Sequence, residues 1–315
     1  MLSRVAENVY WLARYVERAE NTARMLRVNT RLVLDTPKGV NPGWEPLLTI
    51  SGLDEAFAEC CDSATERSVV KFLIGETSNP GSIVNSLEAA RENMRTVREM
   101  LPRSAWEKLN ELHIYAKENA QKGISKRGRD EYLDEIITGS QHFTGLLNSV
   151  MYRDQAYHFI RIGRSLERAD MTTRIIDVRS TDLLEEAQVE SRSLDAIQWI
   201  SVLKSLSGYQ SYRRHKDIRI NRSEVLQYLF LDELFPRSVM HCHAAVEESV
   251  SLLPNSDKSI HALRVMQKTI QRIKTETISQ SELHDVIDIV QLNIMDIHLA
   301  LEAAYFYRPN SLAAA

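Results

Sequence analysis

The strongest constraint on this chain is a stretch that occurs twice. Residues 5–26, VAENVYWLARYVERAENTARML, and residues 159–176, FIRIGRSLERADMTTRII, carry the same charged groups 150 positions apart. Arg14, Glu17, Arg18, Ala19, Thr22 and Arg24 are answered by Arg164, Glu167, Arg168, Ala169, Thr172 and Arg174, with Asp170 in place of Glu20. In the first copy Val5, Val9, Leu12, Val16, Ala19, Ala23 and Leu26 recur at steps of four and three, the spacing of an apolar seam along one side of a helix. Phe159, Ile162, Leu166, Ala169, Thr173 and Ile176 repeat that seam in the second.

The other side of each helix carries the chemistry. At roughly 100° per residue, Arg14, Glu17, Arg18 and Asn21 fall within about a third of the circumference. Tyr10, Trp11 and Met25 share that side, as Tyr157, Ile160, Met171 and Ile175 do in the second copy. A guanidinium or carboxylate taken from water without a partner is costly. The face is therefore expected to meet other helices or a closed groove, with its charges held as a network.

The opening MLSRVAENVYWLARYVERAENTAR, together with NPGSIVNSLEAARENMRTVRE (79–99), WEKLN (106–110) and FPRSV (235–239), resembles the bacterial Alpha-E family. Its members are all-helical and take their name from a Glu-Arg motif, and the resemblance runs over nearly the whole chain. It implies a pathway more than a reaction. Family members are typically encoded beside, or fused to, circularly permuted ATP-grasp amide ligases and transglutaminase-like proteins, so these are the partners that the resemblance implies.

At 315 residues with 43% hydrophobic content, the chain can bury a core for one large helical body or two domains, and 8 Pro and 11 Gly leave few interruptions. A formal charge of -4 argues against a general nucleic-acid or anionic-membrane binder. The N-terminus has no apolar leader region, and no apolar run reaches the roughly 20 residues of a membrane span, so a cytoplasmic protein is expected. Cys60, Cys61 and Cys242 are expected to be reduced thiols.

Helices are expected over 2–34, 44–61, 83–100, 103–121 and 131–150. Loops fall at 35–43 and 123–130, and the apolar piece 69–75 leads into the turn TSNPGS. The second half follows the same plan. Trp199 stands near the place of Trp44, Gly208 answers Gly52, and Tyr228-Leu229 answers Phe72-Leu73. Pro236 and Ser238 answer Pro80 and Ser82 at an offset of 156, and Gln291 answers Gln141 at 150. The fold class expected is all-α, two tandem helical-bundle-like pseudo-repeats packed into one body: 1–150 with Glu17-Arg18, and 151–315 with Glu167-Arg168.

Two guanidinium groups and one carboxylate per helix suit recognition of a carboxylate or phosphate better than proton transfer. Arginine stays charged and binds such groups in bidentate fashion, and a neighbouring arginine keeps a glutamate ionised. The candidate substrate-binding residues are Arg14, Arg18, Asn21, Arg24, Arg164, Arg168 and Arg174, for an anionic small molecule or peptide. Glu17 and Glu167 would orient those arginines or accept an amine, which makes them the candidate catalytic groups.

Two other readings stand beside this one. The charges could be an internal salt-bridge network in a scaffold that docks the ligase. They could instead hold a metal through Glu17, Glu167 and Asp170. None of the nine histidines follows an acid by three residues, however, and HCH at 241–243 splits its imidazoles between helix sides, so no metal is expected. No Walker loop, Gly-x-Gly-x-x-Gly or Gly-x-Ser-x-Gly occurs, and no cofactor is expected. The basic run 212–222 reads as a solvated helix end.

Overall fold

The computed structural model of the protein describes residues 1–35, 42–181, 191–216 and 219–306. Among them are fifteen α-helices, one 3-10 helix and no strand, in agreement with the all-α expectation. In chain order these are α1 (Ser3–Asp35), α2 (Pro46–Ser51), α3 (Asp54–Ala58), α4 (Glu66–Gly75), α5 (Ile83–Thr96), a 3-10 turn (Arg98–Met100), α6 (Arg103–Glu118), α7 (Ala120–Ile124) and α8 (Arg129–Val150). There follow α9 (Gln155–Thr181), α10 (Ser191–Ser205), α11 (Tyr209–His215), α12 (Arg222–Leu231), α13 (Val239–Ser251), α14 (Asp257–Gln271) and α15 (Gln280–Tyr305).

The repeated stretch forms the two central helices, α1 and α9, which pack on each other along their length. The seam of α1 is buried from Val9 to Leu26 and turns toward the body of the protein. Glycine sets how closely the two helices approach. A Cβ on Gly163 of α9 would stand 2.3 Å from the backbone carbonyl oxygen of Tyr10 on α1, so only glycine fits at this crossing.

Around this pair the packing runs in parallel. α1 lies on α5 and α8, with α6 bridging those two; α9 lies on α13 and α15, with α14 bridging them. α2 reaches across to α9, and α10 reaches across to α1. The helices that follow each Pro-x-Ser turn start alike. Ser82 accepts the Asn85 N–H at 3.3 Å to open α5, and Ser238 accepts the His241 N–H at 3.0 Å to open α13.

Several boundaries differ from the expected ones for local reasons. The helix expected over 44–61 breaks into α2 and α3 because Gly52 turns left-handed at φ 65°, and Leu53 then donates back to the Leu48 carbonyl at 3.0 Å. The apolar piece 69–75 is the body of α4, which starts upstream in a capping box between Thr65 and Ser68. The expected 103–121 helix ends as α6 at Glu118. The expected loop 123–130 is shortened by α7 and by Arg129, which opens α8 and donates to Glu66 at 2.8 Å.

The expected loop 35–43 falls mostly outside the described residues, as do 217–218 of the basic run and 307–315 of the second half. In the described part of that run, Lys216 pairs with Asp232 at 3.0 Å, Arg213 lies over the Tyr209 ring, and Arg222 donates to the Ile278 carbonyl at 2.6 Å. All three cysteines are free, and the Cys60 and Cys61 sulfurs sit 3.4 Å apart in a thiol–thiol hydrogen bond, not a disulfide. No described helix is long and apolar enough to cross a membrane.

Candidate functional site

Where α1 meets α9, each glutamate is held by arginine from the other helix. Glu167 accepts from Arg14 Nε at 2.7 Å through Oε2, and from Arg18 through Oε1 (Nε, 2.7 Å) and Oε2 (Nη2, 3.1 Å). Glu17 pairs with Arg168 Nε at 2.9 Å, although that N–H is not aimed at the oxygen and makes no hydrogen bond. Both carboxylates are sealed from solvent. Burial alone would raise the Glu167 carboxyl, but Arg14 and Arg18 outweigh it and hold the group down at about 2. Burial opposes Arg168 and Arg237 at Glu17 in the same way, and the arginines prevail, well below the usual carboxylate range. Two carboxylates held ionised by buried arginines are orienting groups for those arginines, and a depressed pKa makes them poor proton acceptors at neutral pH.

The two centres differ in one residue from outside the central helices. Arg237, in the turn before α13, donates through Nη1 to Glu17 at 2.7 Å and Asn21 at 2.9 Å, and through Nη2 to Glu20 at 2.9 Å. Glu20 also accepts from Arg24 and from Gln141. Arg237 thus takes at Glu17 the place that Arg14 takes at Glu167. The counterpart of Arg14 is Arg164, which is left over. Among the described residues it makes no ion pair, and its buried Nε has no protein partner. Burial first, and then the neighbouring Arg168, bring the Arg164 guanidinium down to about 10, so it remains a cation at neutral pH.

Two cavities flank the crossing. One, of about 640 Å³, lies between α9 and α13 and is lined by Arg153, Arg161, Arg164, Arg168, His241 and Glu248, among others. Its cations outnumber its single acid. Arg161 pairs with Glu248 at 2.6 Å, Arg168 pairs with Glu17 at 2.9 Å, and Arg153 lies over the Tyr157 ring at 3.9 Å, which leaves Arg164 as the buried guanidinium of this wall without an ion pair among the described residues. His241 gives Nδ1 to the Glu233 carbonyl at 2.7 Å and keeps Nε2 uncommitted.

The other cavity, of about 680 Å³, lies between α1, α5 and α9, and its lining includes Arg14, Arg18, Glu88, Glu167, Asp170 and Arg174. Here three arginines face three acids. Many of its positions match the first cavity at the sequence offsets: Arg14, Arg18, Pro80, Asn85 and Ala89 stand where Arg164, Arg168, Pro236, His241 and Ala245 do.

The remaining sequence candidates are placed as follows. Asn21 accepts from Arg24 and Arg237, and Arg24 also lines a separate groove between α1 and α10 of about 580 Å³. Arg174 is tied to Asp170 at 3.0 Å. Burial pushes the Asp170 carboxyl up against that pairing. No group of three metal-ligating side chains occurs among the described residues, and Glu17, Glu167 and Asp170 are bound to arginines.

A family model described as a predicted alpha-helical domain with a conserved ER motif, Alpha-E, matches residues 1–306. The chain belongs to the Alpha-E family. Curated relatives of this Alpha-E chain include uncharacterized proteins of Mycobacterium bovis and Mycobacterium tuberculosis, each 22% identical over 340 residues. The match covers 98% of this chain but only 37% of either relative. No solved structure matches the chain.

Within this Alpha-E protein the sequence points to the central arginines and glutamates but misses Arg237 and Glu20. Arg237 had a signal. It stands between Pro236 and Ser238, which answer Pro80 and Ser82, and it is the position that differs, with Gly81 opposite.

Proposed function

We propose that this chain binds a carboxylate- or phosphate-bearing substrate in the α9/α13 cavity. It would do so as a component of an amide-bond-forming or peptide-modifying pathway. The observation that carries this reading is Arg164, a guanidinium with no carboxylate of its own at the wall of a cavity whose other cations outnumber its acid. A buried cation without a partner is costly unless an anion supplies one. Arg168 stands beside it in an ion pair with Glu17, which Arg237 holds in turn, so a bidentate acceptor would meet two adjacent guanidinium groups.

The pathway is what the Alpha-E resemblance implies: a circularly permuted ATP-grasp protein and a transglutaminase-like protein would be the partners, and ATP would be used by the former.

The test is titration of inorganic phosphate and of N-acetylglycine into the protein by calorimetry, for wild type and Arg164→Gln. Saturable binding in the wild type, at least tenfold weaker in a variant whose Tm is unchanged or raised, supports the site. No saturable binding in the wild type, or undiminished binding in the variant, overturns it.

A second reading, a non-catalytic scaffold that docks the ligase, is favoured by the sealed pairing of Glu17 and Glu167. It expects Arg18→Lys and Arg168→Lys to lose stability or ligase association with no effect on anion titration.

A further inference from the structure

Arg237 marks, in one half of the protein, a place that the other half leaves open. Its guanidinium is received by Glu17, Glu20 and Asn21. Moved on by 150 positions, those three are Glu167, Asp170 and Met171. Moved back by 156, Arg237 is Gly81, which lies between Pro80 and Ser82 as Arg237 lies between Pro236 and Ser238. Gly81, Glu167, Asp170 and Met171 all line the 680 Å³ cavity between α1, α5 and α9. A guanidinium built into one centre thus corresponds to open space beside acids in the other.

We infer that this second cavity binds the guanidinium or primary ammonium group of a ligand, received by Asp170 and Glu88. Glu167 does not serve, because Arg14 and Arg18 already occupy both of its oxygens. Asp170 gives only Oδ2 to Arg174, and Glu88 is exposed and makes no ion pair among the described residues. The charge balance separates the two cavities. Three arginines against three acids gives no net pull on a simple anion, in contrast to the four arginines and one acid of the α9/α13 cavity. Arg18, partly exposed at 28%, lies on the same wall and can hold a carboxylate carried by the same ligand, which extends the class to amino-acid and peptide ends. Burial holds the Asp170 carboxyl above its ordinary value, and an incoming cation would lower it.

The probes are agmatine and L-arginine, titrated into wild type, Gly81→Arg and Asp170→Asn, with the Asp170 carboxyl followed by carbon NMR. Gly81 accepts this change only if Asn79 gives by a few tenths of an ångström. An added Cβ would meet Asn79 Oδ1 at 3.3 Å and Leu53 Cδ1 at 3.6 Å, and the backbone there is not left-handed. The expected result is saturable agmatine binding in the wild type with a downward shift of the Asp170 titration. Binding should be lost in Gly81→Arg, whose own guanidinium fills the space, and at least tenfold weaker in Asp170→Asn. Phosphate titrated into the same Gly81→Arg sample reports on the Arg164 cavity separately, so either site can fail alone. Should Gly81→Arg not fold, the comparison rests on Asp170→Asn and Glu88→Gln. Wild type that takes up neither probe, or folded variants that all bind them undiminished, overturns the inference.

Discussion

Arg237 donates to Glu17 at 2.7 Å from 220 positions further along the chain. The contact neutralises a sealed carboxylate and occupies its Oε1, leaving Arg164 without a place there. Arg237→Gly, which copies Gly81, is expected to cost about 3–5 kcal/mol, the usual loss when one member of a buried ion-pair group is removed. Part should return as Arg164 turns inward onto Glu17, as Arg14 lies on Glu167, and phosphate affinity should fall with it. Urea unfolding and phosphate titration of Arg237→Gly, Arg164→Gln and the double variant form the cycle that checks this. Additive losses would show that the two arginines do not exchange places.

Glu167 sets an acid limb to the stability curve. Its folded carboxyl is held at about 2 against an ordinary 4.5, so the stabilisation is complete above about pH 5 and is lost as pH falls toward 2. A shift of that size corresponds to about 3 kcal/mol at neutral pH. Glu167→Gln should lack this limb, and it should be less stable than wild type at pH 7 because Arg14 and Arg18 lose their shared acceptor. Chemical unfolding from pH 3 to pH 7 measures both. Parallel curves for the two proteins would mean that Glu167 is not what titrates.

Gly163 controls the approach of α9 to α1. With a Cβ at 2.3 Å from the Tyr10 carbonyl, Gly163→Ala must push the helices apart at the point where their arginines interlock. Overpacking of this kind typically costs about 1–3 kcal/mol, and a larger loss is expected because the crossed ion pairs lengthen with it. Gly145, with nothing within 4 Å, is the matched control, and Gly145→Ala in α8 should stabilise slightly. Thermal unfolding of the pair decides it.

The helices were legible because the seam of α1 and its copy in α9 keep helical spacing over many turns, and the charged face was legible because Tyr10, Trp11 and Met25 accompany it. What spacing along one helix cannot reveal is which helix an arginine serves. The pairing is crossed, Arg18 to Glu167 and Arg168 to Glu17, and that follows from the close contact at Gly163, a tertiary fact. Arg237 was hidden for a related reason. Its role depends on a turn folding back onto residues more than 200 positions earlier, and locally it is one more arginine beside a helix cap. The break at Gly52 was missed because an isolated glycine in a helical pattern does not by itself say that its φ is positive.

His113 offers a check on burial away from the site. It is only 8% exposed on α6, and neither ring nitrogen has a hydrogen-bond partner in the protein. Burial first, and then the charge of Arg91, push its pKa below the ordinary 6.5. The sign follows directly. A folded value below the unfolded one means that the neutral ring's contribution is present above about pH 6.5 and is lost as pH falls through the folded value. His113→Leu, similar in bulk, removes both the unpaired nitrogens and the titration. It should gain about 1 kcal/mol at pH 7.5 and a larger margin at pH 5.5. The acid slope will not vanish, since burial lowers His158 and His298 as well. Urea unfolding at the two pH values measures the difference of slopes, and equal slopes in His113→Leu and wild type would place the acid sensitivity elsewhere.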